Sequence, residues 1–228
     1  MDRLFQSIKI GVNDKIYVKD PESSALGKRI IEESIKMIQV MGFDKFTFKK
    51  LGDRIGSNES SVYRYFESKH KLLLYLASWY WGWLEYQLVF ATNSISDAAQ
   101  KLNRAIEIVT QTTEEDSSFS HINEVLLNKI VIDEYSKSYL TKEVDQENKE
   151  GYFEIYKRLV NRLSEMIAAV NRNYPYPSSL ASTVLEGSLH QHFLLDHFSS
   201  LTNCQEHTDP TDYFKNLVFN CLNQPTHV

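Results

Sequence analysis

"GFDKFTFKKLGDRIGSNESSVYRYFESKHKLL", residues 42–73, holds the densest helix punctuation in this 228-residue chain. Thr47 is a good N-cap, and Phe48, Leu51 and Ile55 fall on one helical face that Gly56 closes. Ser57 and Asn58 can cap a second short helix whose inner side carries Val62 and Phe66. Ser68 then opens a long helix running to about Phe90. Upstream, "ALGKRIIEESIKMIQVMG", residues 25–42, spaces Leu26, Ile30, Ser34/Ile35, Ile38 and Met41 at steps of three and four, and Gly42 suits a left-handed cap. A longer helix followed by two short ones across a glycine-containing turn is a tri-helical helix-turn-helix unit.

The rest of the chain reads as helical too. Only 8 Gly and 5 Pro occur, and the 42% hydrophobic and 24% charged content is that of a folded domain. Further helices are expected at about 95–113, 121–140, 146–171, 178–199 and 209–222, broken at "TTEEDSS", "YPYPSS" and "TNCQEHTDP". The fold class is therefore all-α. "QSIKI" and "KIYVK" around "GVND" suit a short N-terminal β-hairpin arm, stopped by "DPESS", where Ser23 or Ser24 can cap the next helix. The expected organisation is an arm over 1–22, a helix-turn-helix domain over 23–72 and a helical domain over 73–228.

Several classes of function find no support. Cys204 and Cys221 supply neither a disulfide framework nor metal-ligand spacing, and "MDRLFQSIKIGVND" lacks a signal-peptide core, so a cytoplasmic location is expected. "YLASWYWGWLEYQLVFA", residues 75–91, is interrupted by Ser78, Glu85 and Gln87 and is short of the ~20 apolar residues of a membrane span. No phosphate loop, nucleophile elbow, metal triad or Cys–His signature appears, so neither an enzyme nor a cofactor is expected. An all-helical enzyme and a protein-interaction module, with the helix-turn-helix as scaffold only, are the competing readings.

The charge pattern leaves room for a polyanion at one end. The chain carries −5 overall, but residues 28–71 hold ten Lys or Arg against six Asp or Glu, net +4. With Val62 and Phe66 turned inward, Ser60 and Arg64 lie almost opposite, flanked by Ser61 and Tyr63. Small hydrogen-bonding groups around one cation are what a helix needs to enter a major groove without steric block. Thr47, Lys49, Lys50, Tyr65 and Lys69 surround that face with phosphate-capable donors.

The same stretch resembles the DNA-binding domain of the TetR/AcrR family of transcriptional regulators. The resemblance covers about residues 25–75. It rests on the glycine and aromatic before Thr47, the turn glycine Gly56, the cap pair, the Val62–Tyr63–x–Tyr65–Phe66 ending, and Ser68–Lys69 before a leucine pair. It implies a homodimer on palindromic double-stranded operator DNA, probing a small-molecule effector with its C-terminal domain and acting as a repressor. Carried over by position, Thr47 would meet phosphate, Asn58, Ser60, Ser61 and Tyr63 would face bases or adjacent backbone, and Tyr65 and Lys69 would grip phosphates. Glu59 departs from the family pattern; it supports its own helix N-terminus, or accepts from a cytosine amino group.

Downstream, Trp83 and Tyr86 on the fourth helix, Asp133, Tyr156 and His190 are the candidate effector contacts. "LEGSLHQHFLLDHF" puts Glu186, His190 and His197 on one face. His190 and His197 are about 10 Å apart along a helix, too far for one ion, so no metal site is expected. Leu189, Phe193, Leu194 and His197 are read instead as a dimer seam.

Overall fold

Ten α-helices and no strand form among the described residues, 10–114, 121–204 and 210–223, of this computed structural model. They are α1 (Ala25–Met41), α2 (Phe48–Arg54), α3 (Glu59–Tyr63), α4 (Lys69–Thr92), α5 (Ala98–Thr110), α6 (Glu124–Tyr139), α7 (Val144–Lys149), α8 (Glu154–Val170), α9 (Pro177–His197) and α10 (Pro210–Asn223). The chain divides into two units, one of residues 1–82 with 113–155, the other of 83–112 with 156–228.

In the first unit the caps fall where the sequence places them. Ser24, Thr47 and Asn58 accept from the N–H groups of Gly27, Lys50 and Ser61 and so start α1, α2 and α3. Gly42 and Gly56 adopt φ of 76° and 62°, the left-handed region that stops a helix sharply. Ile30, Ile31, Ile35 and Ile38 of α1 pack with Phe46, Leu51, Val62 and Phe66 as a closed core. α6 lies against α1, and Glu134 on α6 accepts at 3.0 Å from the Phe43 N–H in the α1–α2 turn. Between Leu72 and Leu84 every residue of α4 is buried, so that stretch has no polar face. Burial pushes the Tyr80 hydroxyl up to about 12, against the opposing hydrogen bonds of Asn128 and Thr113.

The structure departs from two expectations. "KIYVK" is not a strand. Asn13 caps a 3-10 turn at Asp14–Ile16, Ile16 is buried, and the Val18 N–H donates to the Tyr65 carbonyl rather than to a neighbouring strand. The other half of the expected hairpin lies, except for Ile10, outside the described residues. The single helix expected over 146–171 is two, because Gly151 takes φ 81° and the chain turns before α8 begins.

The second unit is built on α5, α8, α9 and α10 with the end of α4. α10 packs on α5 and α9, and the Phe214 ring covers Gly187, where a Cβ would stand 3.0 Å from the ring. Polar groups inside are paired: Thr110 with Thr211 at 3.1 Å, and the Thr110 carbonyl with His192 at 2.9 Å.

One buried charge is held by two cations. Glu85 is buried, and Arg158 grips both its oxygens while Arg162 adds a bond at 2.6 Å. Burial pushes the Glu85 carboxyl up, but the bonds from Arg158 and Arg162 outweigh it and hold the group below the usual carboxylate range. A depressed folded value means stability present above the ordinary value of 4.5 and lost as pH falls through the folded one. Glu85→Gln is expected to lower stability by about 1–3 kcal/mol at neutral pH. In urea unfolding the gap should close in strong acid, and an equal gap at both pH values would reject this account.

Candidate nucleic-acid interface

α2 and α3 pack against each other across the Gly56 turn, and what holds them together is small. Gly52 lets α2 approach the start of α3, since a Cβ there would sit 3.0 Å from the Glu59 nitrogen. Phe48 is buried and meets the Tyr63 ring edge-on at 5.0 Å, which orients an otherwise half-exposed aromatic. Asn58 uses its side-chain oxygen twice, accepting from both the backbone N–H and the hydroxyl of Ser61 at 2.8 Å.

The outward face follows from this packing. Thr47, Lys49, Asn58, Ser60, Tyr63 and Arg64 are exposed, and Ser61 is half-buried. Ser60 and Arg64 stand together opposite the buried Val62, as the wheel geometry requires. Lys50 is exposed but donates to the Lys45 carbonyl at 2.8 Å, and Arg54 is bound to Glu33, whose carboxyl is held low by Lys36 and Arg54. The cations left on the face without a partner among the described residues are Lys49 and Arg64.

Two residues expected to grip phosphate do other work. Tyr65 is buried, its hydroxyl 2.8 Å from Ser24 Oγ at the start of α1. The cause is local: the Tyr65 N–H bonds the Val62 carbonyl in a tightened turn just after α3, which swings the ring inward. Lys69 donates to the carbonyls of Phe43 and Asp44 at 3.1 and 3.2 Å and covers the Phe43 ring. Neither position belongs to the open face.

The candidate effector residues of the second unit do not share one groove. Trp83 is buried, Tyr86 stacks on Phe90 at 6.1 Å, Asp133 and His190 are exposed, and the Tyr156 hydroxyl donates to Glu186 at 2.5 Å. Tyr156 and Glu186 line an open groove of about 450 Å³ between α8 and α9, with Val160, Asn161, Ser179 and Ser182. Trp83, Tyr86 and His190 do not line it. Of the expected seam, Leu189 and Leu194 are buried within the chain itself, while Phe193 packs on His197 and Phe198 at 4.6 and 6.0 Å. Leu189 and Leu194 are thus core rather than surface, because α9 needs an apolar stripe for its own neighbours α5 and α10. Among the described residues no three His, Cys, Asp or Glu gather to hold a metal, and no helix is long and apolar enough to cross a membrane.

Residues 30–76 match the family of bacterial regulatory proteins described as the tetR family. No curated protein matches the sequence. Among solved structures, AibR in complex with isovaleryl coenzyme A and operator DNA has 14% identity and a TM-score of 0.55, over 85% of this chain and 96% of that one. The superantigen PfiT has 15% identity and a TM-score of 0.58, over 91% and 100%. The TetR family transcriptional regulator PfmR from Thermus thermophilus has 15% and 0.52, over 85% and 97%. At these identities the likeness is one of fold.

The Asn58 cap can be tested on its own. Asn58→Ala is expected to lower stability by about 1 kcal/mol, and Asn58→Asp, which keeps the acceptor, to restore most of it. Equal losses for both in chemical unfolding would mean that the cap contributes nothing.

Proposed function

We propose that this chain, whose residues 30–76 match the tetR family, is a transcriptional regulator of that family reading duplex operator DNA with α2 and α3. The observation that carries this reading is the open face itself. Ser60, Tyr63 and Arg64 offer base-edge donors and acceptors, and Thr47 and Lys49 lie beside them for phosphate. Phosphate contacts supply affinity, and Arg64 is the group suited to the O6 and N7 acceptors of guanine. The −9 carried by residues 72–228 opposes non-specific attachment of the remainder to DNA.

The protein acts in the cytoplasm as a homodimer on a palindromic site, with its reading heads one turn of B-DNA apart, about 34–36 Å. It represses, and a small molecule releases it by favouring an arrangement that does not fit the site. Substantial release requires the effector to prefer that state by a few kcal/mol. The AibR complex with isovaleryl coenzyme A and operator DNA supports the general scheme of one such fold serving both ligands. The division of labour follows: residues 23–72 read DNA, and residues 73–228 bind effector and partner subunit. No catalytic step is assigned to the chain.

Selection from genomic fragments with the purified protein, followed by titration at several salt concentrations, tests this reading. A selective duplex is expected. Arg64→Ala should relax the matching position of each half-site by about 1–3 kcal/mol, and Lys49→Ala, lost from both subunits, should weaken all sequences alike and shallow the salt slope by about 2. Failure to prefer any duplex, with or without candidate effectors, would refute it.

A further inference from the structure

Residues 10–24 form a strap whose seats are unusual. Two of them are glycines inside helices, positions where glycine weakens the helix unless something must come close. A Cβ on Gly82 of α4 would lie 2.5 Å from Ile10 Cγ2, and a Cβ on Gly27 of α1 would lie 2.2 Å from the Pro21 carbonyl oxygen. Between these ends the strap bonds two separate places. Asn13 Nδ2 donates to the carbonyls of Glu150 and Gly151 at 3.1 and 2.9 Å, in the turn between α7 and α8. Lys15 reinforces this by pairing with Glu150 at 2.8 Å. Five residues on from Asn13, the Val18 N–H donates at 2.8 Å to the carbonyl of Tyr65, just beyond the end of α3. Lys19 covers the Tyr65 ring, and Ser24, where the strap becomes α1, meets its hydroxyl.

Tyr65 is therefore fixed from the strap side at its carbonyl, ring and hydroxyl, although it touches none of the open reading face. We propose that residues 10–24 position the recognition helix α3, with Asn13 as the positioning residue that ties it to the α7–α8 turn. This rests on the DNA-reading role proposed above. The strap makes the orientation of α3 depend on the 150–151 turn, some 85 residues away in sequence, so a shift of that turn is felt at the reading face. Asn13 spends its amide donors on the 150–151 turn, so on this proposal its loss changes how α3 is presented and removes no DNA contact.

Asn13→Asp separates the two roles of this side chain. It keeps the oxygen that accepts from the Lys15 N–H but replaces the donor facing two carbonyls with a carboxylate. In the full-length protein, affinity for the selected operator and for a scrambled duplex should be measured with the active fraction titrated. The operator-to-scrambled ratio is expected to fall about tenfold, the scale of a hydrogen bond lost at a half-buried site, with the salt slope unchanged. Gly82→Ala, which unseats Ile10 and leaves Asn13 intact, should lower the same ratio and serves if Asn13→Asp does not fold. Mere destabilisation reduces the active fraction and leaves the ratio alone. An unchanged ratio in either folded variant overturns the strap. A wild-type protein that selects no duplex overturns the regulator reading and the strap with it.

Discussion

The turn between α1 and α2 is held by a carboxylate with almost no access to water. Glu134 accepts from the Phe43 N–H, and Lys137 bridges Glu134 at 2.8 Å to Asp44 at 3.0 Å. Lys69 closes the same turn from α4 through two carbonyls. A buried backbone amide must find an acceptor, and this one finds it 91 residues away. The geometry of α1, α2 and the start of α4 is thereby set by α6. α2 and α3 could not hold their places by their own small core alone, since together they contribute only Phe48, Leu51 and Val62 as large buried side chains.

This arrangement explains why polar residues dense in one stretch of sequence divide into two populations. Lys69, Tyr65 and Arg54 are drawn back toward carbonyls, a hydroxyl and Glu33, whereas Lys49, Ser60 and Arg64 project outward. The first group fixes the shape of this face, and the second supplies its outward donors. A charged face whose members were all tied internally would have nothing left to offer a nucleic acid, and one with none tied would lack a fixed shape.

Much of this was legible in sequence because it is local. Caps at Ser24, Thr47 and Asn58 and stops at Gly42 and Gly56 depend on residues within one turn, and the apolar spacing of α1 declares its inner face. The failures share a cause, which is dependence on distant partners. "KIYVK" has strand composition, yet its Val18 amide bonds Tyr65 and its buried residue Ile16 closes a 3-10 turn, which no local pattern announces. Leu189 and Leu194 look like a seam until α5 and α10 occupy that side of α9. Gly151 could have been read as a break, but the helices of six residues before it and seventeen after it masked a one-residue reversal.

The five-residue α3 owes its start to a single cap, Asn58, and its seat to Val62 and the bare flank of Gly52. Among the described residues no side-chain hydrogen bond ties Ser60 or Arg64 to the fold. Information content and foldability are thus carried by different side chains within the same short segment. On the DNA-reading role proposed above, a lineage could rewrite the recognised sequence by exchanging those outward residues while the scaffold stays intact, and an engineer could do the same: such a surface is written on the fold in replaceable type.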